Sequence, residues 1–395
     1  MSPSRPRLSL CMILRNEARN LRRSLAPVAR LFDEVVAVDT GSTDGTPELA
    51  ASLGAKVIGI PWPDDFAAAR NVSIREASGD YALWLDADNA LRPEDVARLR
   101  SILEPRPRAV LWCTEVVVPD GERLIQKRVF PLMEGVRFEG RVHEQLVHPP
   151  DLASILTPVE ILHWGYADRA SAREKGERNL RLLNEMASEK SEDFYVAYQL
   201  GRTLFNLRRF EQARVYLEKA ATGEAADRNP SLARHARLLR AKNLERLGRP
   251  GEAARVLNDL VRDWPSYGPA HLALARLSYA EERWSETEDI LTRYLAAEPG
   301  DPVAGGAAEQ EDFTAWMLLG RCLERLGRGV EAGQAFRRAA RIRPDHPEPA
   351  LAQVELAAAL GSLEEARALA DDCRRAFPGN LRAARLMGTL SDHGA

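Results

Sequence analysis

The chain has 395 residues, 45% of them hydrophobic and 29% charged, with a formal net charge of −3. That length calls for about two or three globular domains, and the slightly acidic balance argues against a non-specific nucleic-acid binder. Cys11, Cys113, Cys322 and Cys373 are scattered without a CxxC pair, so a disulfide framework or structural zinc site is not expected, and a reducing compartment is.

The first apolar run, Leu8 to Leu14, is short for a signal core, and Arg15 and Glu17 follow it without a small-residue cleavage site. No stretch reaches the roughly 18 apolar residues of a membrane span. The expected location is cytoplasmic, with a membrane-peripheral place as the alternative.

In chain order, RLSLCMIL reads as a strand and EARNLRRSLAPVARL (17–31) as a helix. EVVAVDT (34–40) is a second strand. GTPELAASLG starts a helix with Thr46 as N-cap candidate and Pro47 in its first turn. AKVIGIP (55–61) is a third strand, DFAAARNVSIREASG (65–79) a helix, and YALWLDAD a fourth strand. Short apolar strands joined by crossover helices imply a mostly parallel sheet covered on both faces. RAVLWCTEVVVPDGERLIQKRVFP then reads as a hairpin around Pro119-Asp120-Gly121. RVHEQLVH and PVEILHWGY are further extended pieces. The first half is therefore α/β with a mixed sheet.

Candidate chemistry collects at the carboxyl ends of these strands, where open α/β sheets bind ligands. Asp39 ends the second strand and can accept hydrogen bonds from a nucleobase or ribose. Ser42, Asp44 and Gly45 follow; they either join that pocket or form a turn that caps the next helix. The loop is neither GxGxxG nor GxxxxGK[ST], so a dinucleotide site or P-loop is excluded. Arg15, Asn16 and Glu17 leave the first strand beside Asp39 if the two strands are neighbours. Asp65, Arg70 and Asn71 open the third helix; Arg70 can reach a pyrophosphate, while Asp64 or Asp65 can equally be a cap. Asp86 and Asp88 end the fourth strand. Two such close carboxylates repel unless a cation lies between them, and Mg²⁺ or Mn²⁺ is commonly held by one or two carboxylates plus phosphate oxygens. The competing reading makes them part of the start of the helix at Pro93, with Asn89 as its cap.

Beyond about residue 168 the strand pattern stops and a repeat begins. Pro265 and Pro299 are 34 residues apart, as are Pro344 and Pro378. Ala253, Thr287, Ala332 and Ala366 each lie 12 residues before one of these prolines, with Leu257, Leu291, Phe336 and Ala370 four residues later. Gly320, Ala241 and Ala275 hold a third equivalent place, and residues 200–220 fit the same template. The period, the small residues and the terminal proline resemble the tetratricopeptide repeat. That implies about five stacked helix pairs with a concave face.

The motifs LSLCMILRNEARNL, EVVAVDTGSTDGT, DFAAARN, YALWLDAD and GRVHEQL, in that order, resemble family 2 glycosyltransferases of the GT-A fold, notably bacterial lipopolysaccharide-core glucosyltransferases and bacteriocin S-glycosyltransferases. The resemblance implies a GT-A domain over 1–167, a helical linker over 168–192 and repeats over 193–395. It also implies transfer of a sugar from a nucleoside-diphosphate sugar, UDP-linked as the first expectation, with inversion and a Mn²⁺ or Mg²⁺ cofactor. Asp39 and the Arg15–Glu17 segment then match the base-binding positions. Asp86 and Asp88 match the DxD, whose second aspartate contacts the metal, and Arg70 and Arg128 help the departing diphosphate. Glu144 in RVHEQL is the first choice of base, weighed against His143, since neighbours on a strand face opposite ways. His163 is a further metal ligand or a stacking partner for the sugar. Trp164 and Tyr166 either contact the sugar or close the domain. The repeats are expected to bind a protein, to help recognise a polypeptide or glycan acceptor, or to dimerise. The alternative function is a non-catalytic adaptor with a degenerate first domain. A nucleotidyltransferase, which needs a glycine-rich loop after the first strand, is disfavoured by RNEARN, and a processive synthase by the lack of QxxRW.

Overall fold

The structure is a computed structural model that describes residues 5–118, 123–164, 169–189, 193–222, 229–297, 308–382 and 385. It divides into two compact units, Met1–Arg209 and Phe210–Ala395.

The first unit is built on β1 (Leu8–Leu14), β2 (Glu34–Asp39), β3 (Lys56–Gly59) and β4 (Tyr81–Trp84), with α1 (Ala18–Ser24), α2 (Thr46–Ser52) and α3 (Phe66–Glu76) between them. These four strands pair in parallel in the order β3-β2-β1-β4. β5 (Asn89–Leu91) and α4 (Pro93–Leu103) follow, then β6 (Ala109–Val117) and β7 (Arg123–Pro131). β6 and β7 form the expected antiparallel hairpin; its Pro119-Asp120-Gly121 turn lies outside the described residues. β10 (Ala153–His163) runs parallel to β6 and antiparallel to β5, closing an eight-stranded mixed sheet. β8 (Arg137–Glu139) and β9 (Gln145–Val147) pair separately. Every residue of β4 and nearly every residue of β1 is buried, as befits strands covered on both faces.

Three local expectations are corrected. The helical spacing of 17–31 is broken: α1 ends at Ser24, and a short 3-10 turn, Ala29–Leu31, follows Pro27, which cannot continue a helix hydrogen-bond ladder. Thr46 is the first residue of α2 and Gly45 is its cap, at φ 80°; the Thr46 hydroxyl instead accepts the Glu17 backbone N–H at 2.8 Å. Asn89 does not cap α4. It starts β5, and the cap position of α4 is Arg92, which makes no side-chain cap bond.

α5 (Arg169–Glu189) and α6 (Phe194–Asn206) complete this unit. The segment expected as a linker is thus largely one 21-residue helix, and the compact division falls after the first repeat helix. Tyr166 lies outside the described residues.

The second unit is helical: α7 (Phe210–Ala221), α8 (Pro230–Arg246), α9 (Pro250–Asp263), α10 (Gly268–Ala280), α11 (Trp284–Ala296), α12 (Ala308–Arg325), α13 (Gly329–Ile342), α14 (Glu348–Ala359) and α15 (Leu363–Ala376). The repeat positions explain its packing. Ala253, Thr287, Ala332 and Ala366 are completely buried, as are Leu257, Leu291 and Phe336. A Cβ at Gly320 would collide with the Phe336 ring. Small residues let the backbone approach there, so each helix can bury the apolar stripe that it could not bury alone. Pro265, Pro344 and Pro378 each follow directly on a helix end; Pro299 lies outside the described residues.

Candidate active site

The register Leu14↔Asp39 places the end of β1 beside the end of β2, so the Arg15–Glu17 turn and the Asp39–Thr46 loop meet. Their side chains knit the two together. Asp39 Oδ2 accepts the N–H groups of Gly41 and Ser42, both at 3.0 Å, and Ser42 Oγ donates to Asp39 Oδ1. Asn16, at φ 56°, donates its backbone N–H to Ser42 Oγ at 2.8 Å and accepts the Thr43 N–H at 2.8 Å. Asp44 accepts the Ala18 N–H at 3.1 Å. Asp39 and Asp44 therefore brace these loops, for Asp44 the turn-forming alternative given above, and Arg15 beside them is exposed. Glu17 is partly buried, and burial pushes its carboxyl up; the nearby Asp88 and Asp44 charges push the same way, against a hydrogen bond from Asn20. The loop of β1 and the DxD turn thus feel each other electrostatically.

Two of the expected donor-binding residues are occupied with the scaffold. Asp65 caps α3, accepting the Ala68 N–H at 2.8 Å. Asn71 clamps β8, donating to the Phe138 carbonyl and accepting the Phe138 N–H, each at 2.8 Å. Arg70, on the same helix, is the one of the three that enters a cavity.

That cavity, about 520 Å³, is lined by Arg70, Trp84, Asp86, Glu115, Arg128, His143, Glu144 and His163, with residues of α5 and α6. Its walls carry a chain of alternating charge. Arg70 lies 2.5 Å from Glu144 and 3.2 Å from Asp86. Arg128 lies 3.1 Å from the other Asp86 oxygen and also pairs with Glu115. The Arg70 guanidinium stacks 4.1 Å from the Trp84 ring. Burial works to raise the Asp86 carboxyl, but Arg70 and then Arg128 outweigh it and hold the group below its ordinary range. Burial raises the Glu144 carboxyl, and Arg70 only partly offsets this. Two carboxylates on one cavity are thereby pushed apart, the pattern that separates an ionised anchor from a proton acceptor.

The His143–Glu144 alternation is resolved by the backbone. His143 adopts φ 53°, so the segment is not regular strand and both side chains line the cavity. Arg202 donates to His143 Nδ1 at 3.1 Å, and the Tyr195 hydroxyl donates to the His143 carbonyl at 2.7 Å. Burial, then the Arg202 charge, depress the His143 imidazole to about 3, so it is neutral.

Among the described residues, four buried N–H donors on this cavity have no acceptor, Arg70 Nε, Trp84 Nε1, Arg128 Nε and His143 Nε2, and two buried acceptors, Asn179 Oδ1 and Gln199 Oε1, have no donor. Native proteins pair nearly all such groups. Unpaired donors and acceptors on one wall suit a polar ligand that both accepts and donates hydrogen bonds, as hydroxyl groups do.

The expected metal set is only partly consistent with this geometry. Among the described residues no group of three or more histidine, cysteine, aspartate or glutamate side chains is placed to hold a metal ion. Both oxygens of Asp86 face arginines. Asn89, fully buried, accepts the Asp86 N–H on its oxygen at 3.2 Å, which turns its amide nitrogen toward His163 Nδ1, also at 3.2 Å. An amide nitrogen can only donate, so His163 Nδ1 accepts and Nε2 carries the hydrogen; in that form neither nitrogen offers a lone pair to a metal. Asp86 and His163 are thus not placed as ligands. The Asp88 carboxylate is 3.7 Å from both His163 Nδ1 and Lys175 Nζ, beyond hydrogen-bond length. One carboxylate suits Mg²⁺ or Mn²⁺ that keeps waters and takes phosphate oxygens. Trp164 donates its backbone N–H to the Asp88 carbonyl at 3.1 Å, and Arg23 stacks 4.2 Å from its ring.

Sequence reasoning missed Glu115, Asn89, Tyr195 and Arg202. Glu115 had a signal, since it sits in phase with the buried Leu111, Cys113 and Val117 of β6, where an acid needs a partner.

The glycosyl transferase family 2 model matches residues 9–154, and tetratricopeptide models match 195–222, 244–310 and 306–347. This is a family 2 glycosyltransferase domain followed by tetratricopeptide repeats. A TPR repeat-containing protein of Synechococcus elongatus is 39% identical over 214 residues, 50% of this chain and 52% of that protein. The SPbeta prophage-derived glycosyltransferase SunS of Bacillus subtilis is 26% identical over 226 residues, 54% of this chain and 53% of its own. The chain thus spans about half the length of each of these relatives. An uncharacterized glycosyltransferase of Rickettsia bellii is 36% identical over 88 residues, 22% of this chain and 30% of that protein. Among solved structures, YrrB, described as a TPR protein with an unusual peptide-binding site, overlaps 51% of this chain and 96% of its own at 18% identity and a TM-score of 0.38, too loose a likeness to bear on function. No helix among the described residues is long and apolar enough to cross a membrane.

Proposed function

We propose that the protein is an inverting glycosyltransferase that moves a sugar from a nucleoside-diphosphate sugar, UDP-linked as the first candidate, to a polypeptide or glycan acceptor recognised in part by the repeats. The observation that carries this reading is the cavity itself: a buried carboxylate of raised pKa, Glu144, among N–H donors that lack acceptors. Glu144 takes the proton of the acceptor hydroxyl or thiol as that atom attacks the anomeric carbon, and the bond from that carbon to the diphosphate oxygen breaks. Arg70 steadies Glu144 before transfer and would share its charge with the departing diphosphate. Asp86, fixed between Arg70 and Arg128, aims both guanidinium groups rather than binding the donor itself. Asp88 would hold the divalent cation, which when bound offsets negative charge on the diphosphate. The Arg15–Glu17 turn and the Asp39–Thr46 loop form the nucleotide side of the site.

Nucleotide binding tests this directly. Uridine or guanosine diphosphate with Mn²⁺ should raise the melting temperature of the wild type and do so much less for Asp88→Ala. Absence of any nucleotide effect on the wild type would favour the adaptor alternative, in which the first domain has no donor to bind.

A further inference from the structure

The first helix of the repeat region, α6, sends two side chains to the loop that carries Glu144. Tyr195 Oη donates to the His143 carbonyl and accepts from Gln145 Nε2, both at 2.7 Å. Arg202 donates to His143 Nδ1 at 3.1 Å. A guanidinium has no lone pair to offer, so His143 must accept at Nδ1 and carry its hydrogen on Nε2. That Nε2–H is buried and has no acceptor among the described residues, although its ring lines the cavity next to Glu144. The left-handed backbone at His143 costs energy for a non-glycine residue, and the three hydrogen bonds around it are what hold it.

We propose that His143, locked by Arg202 as the uncharged Nε2–H tautomer, is a hydrogen-bond donor to a hydroxyl oxygen of the carbohydrate bound beside Glu144, and that Tyr195 and Arg202 are positioning residues for this contact. The identity of the ligand as carbohydrate rests on the glycosyltransferase reading; the tautomer does not. A neutral donor suits this wall because Arg70 already supplies positive charge, and a cationic imidazole would compete with it for Glu144. Arg202 repels that charged state. The charged and titratable groups that line the cavity with this ring are Arg202 and Tyr195 from α6, Glu144 from the same loop, Arg70 from α3, Asp86 from the turn after β4, Glu115 from β6, Lys127 and Arg128 from β7, His163 from β10 and Arg178 from α5.

The test has two arms on the full chain. In the first, nitrogen chemical shifts of ¹⁵N-histidine-labelled protein, assigned with His143→Gln, should report an Nε2–H imidazole for His143 that does not titrate between pH 5 and 8, a window chosen around the ordinary imidazole value of about 6.5. In Arg202→Met the donor that holds Nδ1 is gone, so the Nδ1–H tautomer should become populated, while burial still disfavours the charged ring. An Nδ1–H tautomer or an imidazolium in the wild type at pH 7 overturns the proposal whatever the enzyme's activity. In the second arm, UDP-glucose turnover with Mn²⁺ is compared for His143→Gln, whose amide can replace the Nε2–H, and His143→Phe, which cannot. His143→Phe should lose about tenfold in kcat/KM, the value of a single neutral hydrogen bond, and His143→Gln should recover most of it. Circular dichroism identifies a variant that has failed to fold, and His143→Gln then decides the arm. Equal activity in folded His143→Phe and wild type overturns the substrate contact, whereas no turnover by wild type on any nucleotide sugar counts against the glycosyltransferase reading and leaves the first arm to decide the tautomer.

Discussion

Arg70 joins Glu144 to Asp86 through one guanidinium nitrogen, 2.5 Å from the first carboxylate and 3.2 Å from the second. A single cation on α3 therefore governs both the proposed base and the first aspartate of the DxD. Glu144 must be ionised to accept a proton, and burial already raises its carboxyl. Removing the Arg70 charge raises it further. In Arg70→Met the acid limb of the kcat/KM profile should move to higher pH, and the rate at pH 7 should fall more than at pH 9. A limb that stays in place would show that Arg70 does not tune the base.

Arg128 is nearly inaccessible and lies between Asp86 and Glu115. Breaking a buried ion pair from one side leaves an uncompensated charge and costs about 3–5 kcal/mol. Arg128→Met should lower stability in denaturant by that order, and the double variant Arg128→Met/Glu115→Gln should recover a clear part of the loss. Additive effects would mean that the two residues are not coupled.

In the repeats, Gly320 sits inside α12, where alanine ordinarily stabilises a helix by about 1 kcal/mol over glycine. A Cβ at this position collides with the Phe336 ring. Gly320→Ala should therefore lower the melting temperature, and the sign should reverse in a Phe336→Leu background. A stabilising Gly320→Ala in the wild-type background would contradict the close approach.

Asn89 fixes the His163 tautomer through Nδ1. Asn89→Asp would replace its N–H donor with an acceptor and draw the proton to His163 Nδ1. Histidine nitrogen shifts should show that switch, with an unaltered His163 tautomer as the contrary result.

Much of the fold was legible from residues. The apolar runs of β1, β2 and β4 are almost wholly buried, so their sequence alone marks them as inner strands, whereas β3 is a partly covered edge strand. The turn chemistry of VDTGSTDGT was legible locally, but its hydrogen bonds to Asn16, Glu17 and Ala18 were not. The 34-residue spacing within the pairs Ala253/Thr287 and Ala332/Ala366 fixes helix crossings because only small side chains fit there. The site was less legible where partners come from distant chain segments. Asp86 and Asp88 look equivalent in WLDADN, yet Arg128, 42 residues on from Asp86, and Arg70 claim only the first. His143 and Glu144 share a cavity because of one left-handed residue, which no alternation rule anticipates. Tyr195 and Arg202 read as ordinary repeat positions, and their contact with the Glu144 loop depends on how α6 packs within the first unit.

The central claim is that the cavity around Glu144 transfers sugar. Release of nucleoside diphosphate from a panel of nucleotide sugars with Mn²⁺ or Mg²⁺, measured for wild type and Glu144→Gln alongside donor affinity, tests it most directly. At least one sugar nucleotide should be turned over by wild type, with the rate falling about 10²- to 10⁴-fold in Glu144→Gln while the donor still binds. A wild type that neither binds nor consumes any sugar nucleotide, or a Glu144→Gln variant as active as wild type, would contradict it.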